Sequence, residues 1–211
     1  MSRLRYNRGQ AVAHLRGECD ALGRFIDLQG PLQIRVRREP SLFNALARAI
    51  VYQQLSGKAA ATIFGRFKAL FPDGSPDPGQ ARRIPIEKLR GAGLSNNKAL
   101  AIRDLAEKTM DGTLPPMRRI NRLDDDAVIE NLCRVRGIGP WTAQMLLIFN
   151  LGRPDVMPAA DLGVQKGVQA IYRMSRLPDP DRVLARTRHL APYRSAASWY
   201  FWRAADTELL A

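Results

Sequence analysis

Apolar positions recur along most of the chain at three- and four-residue spacings, the period of an amphipathic helix. Leu42, Leu46, Ala49, Ile50 and Gln53 share one face of a helix expected over Leu42 to Leu55, and Ala60, Ile63, Phe64 and Phe67 share a face over Ser56 to Leu70. The same spacing predicts helices over Ile86 to Leu89, Asn96 to Met110, Asp125 to Val135, Trp141 to Asn150, Leu162 to Tyr172, Pro180 to Thr187 and Ser195 to Thr207. Residues 71–79 collect prolines, glycines and aspartates densely enough to be a loop. Only Leu32-Gln33-Ile34-Arg35-Val36-Arg37 alternates as a strand would, and six such residues alone cannot make a sheet. An all-α fold without an internal repeat of fixed period is expected.

The densest pattern lies between Asp124 and Leu147 and reads as helix, hairpin, helix. Asp124, Asp125 and Asp126 suit the positive end of the first helix, and Val128, Leu132 and Val135 form its apolar stripe. Gly137 and Gly139 permit a tight reversal around Ile138, and Pro140 suits the first turn of the next helix, where no N–H is needed. Such a turn directs backbone N–H groups outward at a helix start, a phosphate site that reads backbone and not base sequence.

A proline-bounded loop follows, and Asp161 stands 22 residues beyond Gly139 at the start of a further helix. Two readings fit Asp161: a helix N-cap, a common role for aspartate there, or a carboxylate presented beside a bound phosphate backbone.

Composition narrows the function classes. With 45% hydrophobic residues and no low-complexity tract, the 211 residues can bury a core, which argues against disorder. Cys19 and Cys133 are too few for an iron–sulfur cluster, a zinc knuckle or a disulfide framework, and His14 and His189 too few for a histidine-rich metal site. No apolar run of signal-peptide or membrane-spanning length follows Met1-Ser2-Arg3-Leu4-Arg5, so a cytoplasmic protein is expected, nucleoid-associated if bacterial, with no membrane partner. The formal charge is +13, and the 33 basic residues are 27 Arg and 6 Lys. Arginine pairs bidentately with phosphate, which suits a nucleic-acid partner; codon bias in a GC-rich genome accounts for the excess equally well. Residues 1–48, 49–160 and 161–211 carry +5, +5 and +3, a diffuse field along the sequence.

Four ordered motifs together resemble the helix-hairpin-helix DNA glycosylases, in particular the 3-methyladenine DNA glycosylase II branch. They are Ile50-Val51-Tyr52-Gln53-Gln54-Leu55-Ser56, Leu94-Ser95-Asn96-Asn97-Lys98-Ala99, Val135-Arg136-Gly137-Ile138-Gly139-Pro140-Trp141-Thr142-Ala143 and Met157-Pro158-Ala159-Ala160-Asp161-Leu162-Gly163. The resemblance runs from about Leu42 to about Trp202. It implies an all-α protein of two lobes, residues 1–42 with 156–211 and residues 43–155, the latter containing the helix-hairpin-helix at about 125–150. Double-stranded DNA with damaged bases would cross the cleft mouth between them, bound by a monomer.

The resemblance also implies a base-excision-repair hydrolase of N-glycosyl bonds with Asp161 as its catalytic carboxylate. Relatives that also cut the DNA backbone carry a lysine where this chain has Trp141, and several hold an iron–sulfur cluster; a monofunctional enzyme without either is implied. Alkylated purines such as 3-methyladenine and 7-methylguanine are the implied substrates. Their positive charge weakens the glycosidic bond, and a carboxylate stabilises the oxocarbenium-like sugar. The target nucleotide would be flipped out at a cost of a few kcal/mol, with Leu55 as wedge beside Gln54 and Ser56, although Leu55 equally suits packing at a helix end.

Trp141, Tyr52, Tyr193 and Trp199 are the aromatic residues expected to receive a cationic base, a contact worth about 0.5 to 2 kcal/mol. Gly137, Ile138, Gly139 and Thr142 would meet the DNA backbone. Arg136, Lys98 and Lys166 are expected phosphate contacts, or solvated surface charges. The resemblance further implies a monovalent cation, Na+ or K+, on the carbonyls of Cys133, Val135 and Ile138, and no required cofactor. Larger members of the branch carry an additional N-terminal β-rich domain, whereas about 40 residues precede the first motif here, so lesion range does not carry over from them. Two rival readings are the same fold acting on a deaminated or etheno base, and a non-catalytic helix-hairpin-helix DNA-binding module.

Overall fold

Side-chain oxygens begin most of the helices. In the computed structural model, which describes residues 3–206, Asn7, Ser41, Ser56, Asp77, Ser95, Asp124, Asp161 and Asp179 each accept a hydrogen bond from the backbone N–H three residues on. Each bond satisfies a donor that a helix start leaves without an internal partner. The helices in chain order are α1 (Arg8–Glu18), α2 (Asp20–Gln29), α3 (Leu42–Tyr52), α4 (Gly57–Lys68), α5 (Pro78–Ala81), α6 (Ile86–Gly91), α7 (Asn96–Met110), α8 (Met117–Ile120), α9 (Asp125–Cys133), α10 (Pro140–Phe149), α11 (Leu162–Ile171), α12 (Pro180–Thr187) and α13 (Arg194–Ala205). No strand occurs among the described residues.

The chain forms two units, one from its two ends, up to Arg38 and from Gln144 onward, and one from Glu39–Ala143. The boundaries therefore fall at 38/39 and, inside α10, at 143/144, whereas the motifs suggested 42/43 and 155/156. In the central unit α3 and α7 pack together, with α4 against α3 and with α5 and α6 against α7. Leu46, Ile50, Ile102 and Leu105 are fully buried there, each such side chain contributing roughly 1.5 to 3 kcal/mol. In the terminal unit α11 and α13 are the most extensively packed pair, joined by α2 and α1.

Four helices lie where the apolar spacing singles out none. Helix α1 buries only Ala11 and Leu15, too narrow a stripe to stand out, and α2 carries Leu22, Phe25 and Ile26 over little more than one turn. Helices α5 and α8 have four residues each. Leu32 to Arg37 forms neither helix nor strand, with Leu32 and Ile34 buried. Of the segment expected to reach Thr207, α13 covers Arg194–Ala205, and Thr207 lies outside the described residues. Helix α3 stops at Tyr52, three residues short of Leu55, because a turn with its own bracing begins there.

Candidate active site

Asp161 is the N-cap of α11. Its Oδ1 accepts two hydrogen bonds of 2.9 Å, one from the Val164 N–H and one from the Trp202 indole Nε1. The two donors fix the carboxylate at the positive end of a helix. Trp202 reaches it because α11 presents glycine to α13. A Cβ on Gly163 would stand 2.8 Å from Trp202 Cδ1, and one on Gly167 would stand 2.0 Å from the Phe201 carbonyl oxygen. Capping and presentation of a carboxylate thus meet in one residue.

Helix α13 also anchors the loop leading to Asp161. At its start Arg194 grips Asp155 with two bonds of 2.7 Å, and the Ser195 hydroxyl accepts from the Val156 N–H at 3.0 Å. Ser198 donates to the Val156 carbonyl at 3.2 Å. Burial acts to raise the Asp155 pKa, but the hydrogen bonds from Arg194 outweigh it and hold the carboxyl below its ordinary value. Eight residues on from Arg194, Trp202 stacks on Phe149 with ring centroids 5.6 Å apart, and the Arg37 guanidinium lies 5.5 Å from the Phe149 ring centre.

The expected wedge and hairpin residues lie in the central unit. Gln54 has φ of +54°, left-handed backbone that a non-glycine residue adopts at a cost of order 1 to 3 kcal/mol. Leu55 follows, 38% exposed, and Ser56 caps α4. The turn is braced on both sides. Gln53 Nε2 donates to the Gly137 carbonyl at 2.8 Å and lies 3.5 Å from Thr142 Oγ1, while Lys98 Nζ donates at 2.8 Å to the carbonyls of Val51 and Gln53. Burial lowers the Lys98 pKa. Lys98, expected at a phosphate, thus caps the end of α3, and Thr142 is buried.

Helix α7 holds the hairpin as well. The Asp104 carboxylate accepts from the Arg136 N–H at 2.7 Å and from Lys108 Nζ at 2.8 Å, and Lys108 also donates to the Arg134 carbonyl. Gly137 has φ of +75° and Ile138 is buried. Gly139 precedes Pro140 and has no side chain with which to cap α10, unlike Asp161 before α11. The Val135 carbonyl accepts from the Ile138 N–H at 3.0 Å, and a carbonyl retains a second lone pair, so the oxygens of Cys133, Val135 and Ile138 are a donor set suited to a hard monovalent cation. Among the described residues no group of three or more His, Cys, Asp or Glu side chains is placed to hold a metal. The side chains of Arg136 and, on α11, Lys166 are exposed.

The expected aromatic residues divide between the two units, Tyr52 and Trp141 in the central one and Tyr193 and Trp199 in the terminal one. Trp141 is 45% exposed at the start of α10. Tyr52 has the Arg48 guanidinium 3.8 Å from its ring centre. Tyr193 sits against Tyr6 and His14, at 5.9 and 5.3 Å between centroids. Trp199 lies edge-on to Tyr200, itself fully buried. The tryptophan at Asp161 is Trp202, which is not among the four aromatic residues that the sequence singled out. Its signal is the Gly163-x-x-x-Gly167 spacing, which invites close approach of another helix.

A family model described as HhH-GPD superfamily base excision DNA repair protein matches residues 47–192. The DNA-3-methyladenine glycosylase 1 of Schizosaccharomyces pombe is 38% identical over 198 residues, 92% of this chain and 86% of that protein. A solved structure of an S. pombe 3-methyladenine DNA glycosylase in complex with abasic DNA matches with TM-score 0.85 and 36% identity, over 94% of this chain and 98% of that one. A DNA-3-methyladenine glycosidase from Bacillus halodurans matches with TM-score 0.82 and 36% identity, over 93% and 89%. No helix among the described residues is long and apolar enough to cross a membrane.

Proposed function

This chain belongs to the HhH-GPD superfamily of base excision DNA repair proteins, and from that premise we propose that it is a monofunctional DNA glycosylase that removes alkylated purines, with Asp161 as its catalytic carboxylate. The observation that carries the reading is the seat of Asp161, a carboxylate oriented by a helix start and by the Trp202 indole.

The chemistry follows from the charge of the substrate. When the bond between the sugar C1′ and an alkylated purine breaks, its electron pair neutralises the departing base, so no strong general acid is needed. Positive charge then builds on the sugar. A fixed carboxylate stabilises that charge without reorganising, and water adds to C1′ while losing its proton. The flipped nucleotide leaves a gap in the duplex that Leu55 fills, carried on the braced turn after α3. The hairpin meets the DNA backbone through main-chain groups around Gly137 and Gly139, so grip does not depend on sequence. A monovalent cation on the carbonyls of Cys133, Val135 and Ile138 would supply positive charge near a phosphate. Trp141 occupies the position at which the resemblance puts the lysine of backbone-cutting relatives, which supports hydrolysis by water.

The test is Asp161→Asn, which keeps an oxygen to cap α11 and to accept from Trp202. Release of 3-methyladenine from methylated duplex DNA should fall about a hundredfold to a thousandfold, while binding to undamaged duplex persists. Undiminished release would remove Asp161 from the mechanism.

A further inference from the structure

The alternating segment Leu32 to Arg37 has no sheet to join, yet it is firmly placed. Leu32 and Ile34 are buried, the Arg37 N–H donates to the Phe149 carbonyl at 2.7 Å, and the Arg8 guanidinium donates to the Ile34 carbonyl at 2.8 Å. Arg3 to Arg5 are anchored at the turn after α10. The Arg5 N–H donates to the Gly152 carbonyl at 3.0 Å, and a Cβ on Gly152, whose φ is +65°, would stand 2.4 Å from the Arg3 carbonyl oxygen. Two non-helical pieces of chain are therefore each bonded to the end of α10 or the turn after it, within the terminal unit.

Between them is an open concavity of about 720 Å³ lined by Arg3, Arg8, Arg35 and Arg38, by Tyr6, and by Asn7 and Gly9 at the start of α1. No acidic residue lines it, and none occurs anywhere in residues 1–17 or 28–38. Arg3, Arg35 and Arg38 are exposed, and the bond to Ile34 engages one of the five N–H donors of Arg8. The Tyr6 hydroxyl is buried with no hydrogen-bond partner, and burial pushes its pKa up to about 12, so it remains a neutral donor. Four guanidinium groups around one hollow repel one another unless an anion enters it. The start of α1 adds the positive end of a helix dipole.

We propose that this concavity is a second DNA-backbone site, taking phosphodiester groups independently of the helix-hairpin-helix. Its position within the terminal unit selects DNA over a small anion. Arg37 rests on Phe149, Phe149 stacks on Trp202, and Trp202 donates to Asp161. The segment carrying Arg35 and Arg38 is thus linked by direct contacts to the carboxylate at which the strand is worked on. Only the choice of DNA as the polyanion rests on the glycosylase reading.

The experiment is the salt dependence of affinity for an undamaged duplex, measured on the full chain. Arg35→Gln combined with Arg38→Gln leaves Arg8 and its bond to Ile34 in place, and as a surface change it should unfold within about 2 °C of the parent. The plot of log affinity against log salt should become less steep by about two, as expected when two phosphate contacts are lost, with affinity at moderate salt falling at least tenfold. Arg24→Gln combined with Arg90→Gln removes the same net charge from exposed sites elsewhere and should leave the slope within half a unit. Equal slopes for the parent and the Arg35/Arg38 variant, or an equal loss in the control pair, would overturn the proposal. So would thermal stabilisation of the parent by inorganic phosphate, absent from the variant, with the duplex slope unchanged, since the hollow would then take a free anion. The binding slope and base release are separate readouts: loss of slope in a chain that releases no alkylated base would sink the glycosylase reading and leave this site standing.

Discussion

Helices α7 and α13 each brace a functional segment, and they do so with opposite chemistry. Helix α7 sends charged side chains to main-chain atoms: Lys98 to the carbonyls of Val51 and Gln53, Asp104 to the Arg136 N–H, Lys108 to the Arg134 carbonyl. Helix α13 fixes a loop and one side chain: Arg194 grips Asp155, Ser195 and Ser198 bond the main chain of Val156, and Trp202 bonds Asp161. A segment that grips a repeating phosphate backbone needs its peptide groups placed, whatever side chains it carries. A segment that contributes one carboxylate needs that carboxylate's rotation fixed. Substitutions along α7 should therefore act through shape and stability, and those at the far end of α13 through turnover.

The largest expected effect tests the α13 half. Trp202→Phe keeps a ring against Phe149 and deletes the donor to Asp161. A hydrogen bond to a charged group contributes about 1.5 to 3 kcal/mol. If that bond serves the transition state, excision under single-turnover conditions should fall roughly tenfold to a hundredfold, with duplex affinity unchanged. A variant that loses affinity and keeps its rate would show that Trp202 acts on binding, and the contrast with α7 would fail.

Trp202 also marks where sequence reasoning stops. The hairpin was legible because its turn demands particular residues: glycine at the φ of +75° at Gly137 and proline at the start of α10. Asp161 was legible for a similar local reason, since a helix start asks for a side-chain acceptor, and only the ordered motifs made it more than a cap. Trp202 was hidden in the run Trp199-Tyr200-Phe201-Trp202, because four consecutive aromatic residues on a helix face all directions. Asp161 and Trp202 stand 41 residues apart in sequence, and which aromatic residue meets Asp161 depends on how closely α11 and α13 approach, which is set by Gly163 and Gly167. Lys98 illustrates a contact that local pattern does not reveal. A lysine in a family motif of a DNA-binding protein invites a phosphate assignment, but its ammonium is within bonding distance of two carbonyls that no local pattern brings near it. Helix α1 stayed hidden because its buried face is only Ala11 and Leu15.

An intermediate effect tests the α7 half. Lys98→Met retains an apolar stem and removes the ammonium from the carbonyls of Val51 and Gln53. The expected loss is about 1 kcal/mol of stability, the low end of the range for leaving acceptors without their donor because these are only half-buried, read as a lower denaturant midpoint with unchanged slope. The salt dependence of duplex affinity should change by less than one phosphate equivalent. Unchanged stability with a slope reduced by about one would return Lys98 to the role of phosphate contact.

The smallest effect concerns the anchor at the start of α13 and is visible only in acid. The hydrogen bonds from Arg194 hold the Asp155 pKa below its unfolded value, near 3.9. A carboxyl depressed on folding contributes stability that is fully present above the unfolded value and is lost as pH falls through the folded one. Between pH 6 and 5 the parent should therefore exceed Asp155→Asn in stability by a constant margin. Below about pH 4 the margin should shrink, because the parent's carboxyl takes up a proton and Arg194 then faces a neutral partner in both proteins. Urea midpoints measured from pH 6 down to pH 3 would show two curves that converge. Parallel curves would mean that the grip of Arg194 on the loop does not depend on the charge of Asp155, and that α13 anchors the carboxylate's loop by packing alone.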